Sequence, residues 1–84
     1  MKEDDIKNKI IKFINDDKFQ KGKIIDSKTD LFNANVLDSL KILELVMFLE
    51  NEFNFSISEN ELIEDNFRSI DSITEYSSKK ISRD

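Results

Sequence analysis

The chain has 84 residues, of which 38% are hydrophobic, with no Cys, no His and a net charge of −5. That length makes one domain with a modest core, stable by about 4–12 kcal/mol at ordinary per-residue values. Without Cys or His, the chain cannot build disulfides, thiolate or imidazole metal sites, or Ser-His-Asp and Cys-His catalytic arrangements; without a signal-like N-terminus or a run of about 18 apolar residues it reads as cytoplasmic, with no stable membrane insertion.

A first helix is predicted over about Lys2 to Asn15, with Ile6, Ile10, Phe13 and Ile14 sharing one face at i, i+4, i+7, i+8 spacing. Lys18 to Leu37, which holds the only Gly (Gly22), reads as a long loop. Ile24, Ile25, Leu31 and Phe32 are expected to pin it to the helices, since an unsupported loop of that length is unusual in a compact domain.

From Ser39 to Phe53 there is no Gly or Pro, and Leu, Glu and Met predominate, so propensity and pattern both predict a helix of about four turns. At roughly 100° per residue, Ile42, Leu45, Val46, Leu49 and Phe53 form one stripe suited to a core. Leu40, Leu43 and Met47 form a second, flanked by Glu44 and Glu50. Folding alone does not require two stripes: either the helix is buried all round, with the second stripe against another helix of the chain, or the second stripe is a docking surface rimmed by charge.

Asp38 is a good N-cap residue, which places Ser39 in the first helical turn. By itself this is an ordinary helix start. The free N–H groups and positive dipole end of a helix also favour a negative group, so a phosphate ester on the Ser39 hydroxyl would be well placed there. Ser39 has no evident base: a Ser-Lys pair is formally possible, but Lys41, two residues along the helix, would point away from it.

Phe53, Phe55 and Ile57 alternate with polar residues, suggesting a short extended piece, and Ser58-x-x-Glu61 is a capping box for a brief third helix through Leu62 and Ile63. A last helix is expected from about Ser69, burying Ile70, Ile73 and Tyr76 and placing Lys79 and Lys80 at its negative end. Phe67 belongs to the core. No stretch supports a sheet, so the fold class is all-α: a small four-helix bundle with a long first loop and a short third helix, one domain over residues 1–84.

Acidity is concentrated in residues 38–76, which hold 10 acidic and 2 basic side chains. Most of these acids are ordinary solvated surface, but the block around the helix start would steer toward basic protein partners and away from nucleic acid. An EF-hand is excluded, since no segment has the alternating Asp/Asn ligands, central Gly and terminal Glu of that loop.

Together these features resemble the acyl carrier protein family, including its peptidyl and aminoacyl carrier domains. The likeness runs from about Thr29 to Ile73 through Asp30-Leu31-Phe32, Val36-Leu37-Asp38-Ser39-Leu40, Glu44-Leu45-Val46-Met47-Phe48-Leu49-Glu50 and Glu52-Phe53, then Ile57 and Phe67 ahead of the last helix. Leu37, Asn54 and Ser58 stand where the fatty-acid carriers commonly have Gly, Gly and Pro; Leu-Asp-Ser-Leu is similar to free-standing aminoacyl carriers and to D-alanyl carrier proteins. The resemblance implies phosphopantetheine esterified to Ser39 within an Asp38-Ser39 motif, its thiol holding an acyl or aminoacyl group as a thioester. It further implies a cytoplasmic, monomeric protein that catalyses nothing itself. Its partners would be a phosphopantetheinyl transferase, an acyl- or aminoacyl-activating ligase, and downstream transferases or synthases. Leu40, Leu43, Glu44, Met47 and Glu50 would meet those enzymes, and Asn51, where many relatives are acidic, would shift partner preference. The alternative is an unmodified helical adaptor that uses the same helix face for binding alone.

Overall fold

A computed structural model describes residues 2–16, 19 and 24–82. Four α-helices follow in order: α1 (Glu3–Ile14), α2 (Ser39–Phe53), α3 (Glu64–Phe67) and α4 (Ile70–Ser82), with a 3-10 turn at Glu59–Glu61 ahead of α3. The described residues contain no strand, so the fold is a small all-helical bundle.

The bundle is organised around α4, which packs against each of the other three helices. The periodicity of α1 serves this arrangement, since Ile6, Ile10 and Ile14 are fully buried while Phe13 lies half-buried to one side. In α2, Leu45, Leu49 and Phe53 are buried, with Ile42 and Val46 half-buried at the edge of the same stripe. Helix α4 contributes Ile70, Ile73 and Tyr76. Ser69 caps it, its Oγ accepting the Ser72 N–H at 3.1 Å. Lys79 and Lys80 fall in its last turn, where the helix dipole favours cations. No helix among the described residues is long and apolar enough to cross a membrane.

Helix α2 ends on Asn54, in the left-handed region at φ 59°, its N–H donating to the Glu50 carbonyl at 3.0 Å. Asn tolerates that conformation better than any other non-Gly residue, which is why Asn54 can stand in a Gly position. Beyond it the chain is extended, and Phe55 and Ile57 turn inward against the core. The carboxylate of Glu50 accepts the Ile57 N–H at 2.8 Å, so part of Glu50's hydrogen-bonding capacity is used to hold this segment on α2.

The third helix lies later than its sequence signal suggests. The capping pair forms: the Ser58 N–H and hydroxyl donate to Glu61 Oε1 at 3.0 and 2.8 Å. It starts only a 3-10 turn, however, in which Glu61 N–H donates to Ser58 O and Leu62 N–H to Glu59 O, and Leu62 leaves the helical region at ψ 63°. Ile63 is extended, and α3 then begins at Glu64 with Phe67 as its buried side chain. The capping chemistry was readable locally; where the next turn begins is set by bringing Phe67 into the core. Leu62 and Ile63 remain exposed.

Glu61 Oε1 also accepts from Lys80 Nζ at 3.0 Å, tying the turn to α4. The Ser58 N–H, the Lys80 ammonium and the Ser58 hydroxyl together hold the Glu61 carboxyl down from an ordinary 4.5 to about 2. A carboxyl whose pKa is depressed in the folded state adds stability that is in place above about pH 4.5 and is lost as the pH falls toward about 2. In urea titrations at a series of acid pH values, Glu61→Gln is expected to lower stability at neutral pH and to flatten the fall across that window; an unchanged acid limb would contradict the assignment.

The segment before α2 has little secondary structure but many anchors. The Leu31 N–H donates to the Arg68 carbonyl at 2.7 Å and the Asp71 N–H to the Ser27 carbonyl at 3.0 Å, while Ile25 N–H donates to the Asn15 side chain at 2.7 Å. Asp30 accepts the N–H groups of Phe32 and Asn33 and meets Arg68 at 3.4 Å. Leu31, Val36 and Leu37 are buried, and Ile25 and Phe32 pack against the core. Ile24, expected to pin the segment, does not, because it is 86% exposed. In extended backbone neighbouring side chains point to opposite sides, so turning Ile25 inward turns Ile24 out. Lys18 and Gly22, the other markers of this loop, lie outside the described residues.

Candidate functional site

The start of α2 is built by the residues on either side of it. Leu37 and Ile42 occupy the two positions of a hydrophobic staple, Leu37 in the core and Ile42 packed against it. This explains why a large apolar residue precedes Asp38. Asp38 is the N-cap: its Oδ1 accepts the N–H groups of Leu40 at 3.0 Å and Lys41 at 2.9 Å. Ser39 is the first residue of the helix and is exposed. Nothing among the described residues bonds its hydroxyl or its N–H.

This geometry changes one electrostatic expectation. Two of the N–H groups that would otherwise face a bound anion are taken by Asp38, so a negative group on Ser39 depends on the helix dipole and the remaining Ser39 N–H rather than on a ring of free donors. Lys41 offers no help as a base: its Nζ donates to the Phe19 carbonyl, and lies 5.0 Å from the centre of the Phe19 ring. Phe19 is itself buried, a core contribution that no periodicity announces. An exposed, unbonded hydroxyl on a fixed first turn suits esterification by an outside enzyme. A tethered phosphodiester fits there without displacing any side chain that the fold uses.

The second stripe of α2 is open. Leu40, Leu43 and Met47 are 73%, 53% and 62% exposed, so no other described segment covers them. Glu44 is exposed beside them, whereas Glu50 is half-buried and engaged with the Ile57 N–H. The residues predicted for the site therefore share one side of one helix, with Asp38 and Ser39 at its start. A hollow lies on the neighbouring side, between α1 and α2, lined by Phe13, Asp16, Phe19, Glu44, Met47, Phe48, Asn51 and Glu52.

The family model described as a phosphopantetheine attachment site matches residues 15–77. The chain is 35% identical to the D-alanyl carrier protein of Streptococcus mutans and 34% identical to that of Streptococcus gordonii, each over 71 residues that cover 84% of this chain and 89% of the relative. It is 41% identical to a probable acyl carrier protein, PigG, of a Serratia species over 49 residues, which cover 58% of this chain and 56% of that one. Carrier proteins of this kind bear phosphopantetheine, are in general not catalysts, and work with the transferases that attach the arm and the ligases or synthases that use it. The exposed helix start thus lies within a match that spans most of the sequence: the chain belongs to the phosphopantetheine-bearing carrier protein family.

Proposed function

We propose that residues 1–84 are a single carrier domain that acts in the cytoplasm as a monomer, holding its cargo as a thioester on phosphopantetheine esterified to Ser39. The observation that carries this reading is the Ser39 hydroxyl, exposed and unbonded at the first position of a capped helix. The prosthetic group would supply the thiol that the cysteine-free chain lacks. Asp38 fixes the first turn and so the direction in which the hydroxyl projects. The cargo is acyl or aminoacyl; likeness to relatives named D-alanyl carrier proteins over 84% of the chain favours the aminoacyl class. The protein itself catalyses nothing, and an amino-acid-activating ligase loads the arm. Incubating the protein with a fluorescent coenzyme A and a phosphopantetheinyl transferase tests this: one label per chain is expected, and no label would leave the unmodified adaptor in its place.

Leu40, Leu43 and Met47 form the apolar contact to the loading enzyme, with Asp38 and Glu44 supplying charge and Glu50 dividing its carboxylate between the fold and the rim. A small patch suits partners that must release the carrier after each step. Met47→Glu, at an exposed position, is expected to leave the helix content unchanged and to raise the KM for loading about tenfold, or ~1.4 kcal/mol. Loading kinetics equal to those of the unaltered protein would reject Met47 as a contact.

A further inference from the structure

The Ser39 hydroxyl makes no bond among the described residues, so where it stands depends on the backbone that delivers it. Further along, α2 is anchored in the core through Leu45 and Leu49, but its first turn takes its bearing from what precedes it. What precedes it is a second, smaller capped turn. Asp30 Oδ1 accepts the Phe32 and Asn33 N–H groups, both at 3.1 Å, as an N-cap does, and the Ala34 N–H donates to the Asp30 carbonyl at 2.9 Å. Asn35, in the left-handed region at φ 61°, ends the turn. Its N–H donates to the Phe32 carbonyl at 3.2 Å and the Val36 N–H to the Leu31 carbonyl at 2.9 Å, the paired bonds of a Schellman closure. The same Leu31 carbonyl accepts the Leu37 N–H at 3.1 Å, so the turn runs straight into the residue before the α2 cap.

We propose that Asp30 is a positioning residue for attachment of the arm, holding Ser39 in place by folding the turn from Asp30 to Val36; the inference rests on the reading of Ser39 given above. A single turn has almost no stability of its own, so its cap matters more than a cap on a long helix. The other Asp30 oxygen, Oδ2, accepts the Asn33 side-chain N–H at 3.1 Å and meets Arg68 Nη1 at 3.4 Å, while the Arg68 carbonyl accepts the Leu31 N–H at 2.7 Å. Arg68 thus fastens the turn at two points to the junction of α3 and α4. Of these the ion pair is partly exposed and weak, so the capping and backbone bonds carry the turn. Leu31, Val36 and Leu37 are buried beneath it, and a change in the turn passes through Leu37 to Asp38 and Ser39. Asp30 touches neither the arm nor the enzyme in this scheme. It therefore acts on the rate of the attachment step and not on docking.

Two measurements test the proposal. In the first, Asp30→Ala and Asp30→Asn are compared with the unaltered protein in single-turnover attachment from coenzyme A, with transferase in increasing excess, at a temperature where circular dichroism shows all three fully folded. Asp30→Ala is expected to lower the limiting rate about fivefold and to leave the half-saturating transferase concentration unchanged. Asp30→Asn keeps an oxygen that can accept both N–H groups and is expected to restore the rate. An unchanged limiting rate in Asp30→Ala, or a change in half-saturation alone, would overturn the positioning role; Asp30→Asn as slow as Asp30→Ala would overturn capping as its route. In the second, amide hydrogen exchange of the unmodified Asp30→Ala protein is expected to quicken about tenfold at Val36 and Leu37 and by less at Ile10 of α1. No change at Val36 and Leu37, or the same increase along the whole chain, would equally contradict it. Failure of the carrier reading is visible separately, as unaltered protein that takes no phosphopantetheine, and would remove the positioning role with it.

Discussion

Ser39→Ala is expected to abolish attachment of the arm completely while leaving the fold as stable as before or slightly more so. The reason is a division of labour between neighbours. Asp38, not Ser39, accepts the Leu40 and Lys41 N–H groups that the helix start would otherwise leave unpaired. Ser39 makes no hydrogen bond among the described residues and is exposed, so removing its oxygen creates neither a cavity nor an orphaned polar group. Alanine is the better helix former by about 0.5 kcal/mol. Intact mass after incubation with coenzyme A and transferase, together with a thermal melt, checks both halves. A variant that still gains the arm, or one that melts well below the unaltered protein, would contradict the role assigned to this hydroxyl.

The second large effect is expected at a residue far from the chemistry. Phe67 is fully buried and is the buried side chain of the four-residue α3, with its ring 5.4 Å from that of Tyr76 on α4. A helix of one turn has almost no stability of its own, so α3 holds its place through this ring. Phe67→Ala is expected to cost about 3–5 kcal/mol, comparable with the ~4–12 kcal/mol available to a chain of this size. The damage should also reach the site, because the Arg68 carbonyl that follows Phe67 accepts the Leu31 N–H and so holds the segment leading to Asp38. Urea unfolding measures the loss; a decrease below about 1 kcal/mol would mean that α3 is held by something other than Phe67.

The parts of this architecture that were legible in the sequence are those encoded by local spacing. The isoleucines of α1 and the two stripes of α2 recur at helical intervals, and Asp38-Ser39 announces a helix start by side-chain chemistry alone. The expected ends of α1, Lys2 and Asn15, are its capping residues. What resisted was decided by distant partners. The Ser58–Glu61 pair has the right chemistry for a cap, yet nothing nearby says that the turn it opens stops after three residues and that α3 waits until Glu64. Ile24 and Ile25 are equivalent by composition, and only the packing of this segment on the core shows that Ile25, whose N–H is tied to the Asn15 side chain, faces inward and Ile24 out. Glu50 looked like one more rim charge until its partner, seven residues on, was in view. The hollow depends on Phe13, Asp16 and Phe19 meeting the Glu44–Glu52 stretch of α2, residues that no local spacing brings together. Exposure of Leu40, Leu43 and Met47, by contrast, removes the reading in which α2 is buried all round, since the second stripe finds no cover among the described residues.

The central claim concerns one oxygen atom, and the most direct measurement of it is the intact mass of the protein produced alongside an active phosphopantetheinyl transferase, followed by fragmentation of the peptide that contains Asp38-Ser39-Leu40. The predicted result is an added mass of one phosphopantetheine, located on Ser39. An unmodified chain, or the same group found on any other residue, would contradict it.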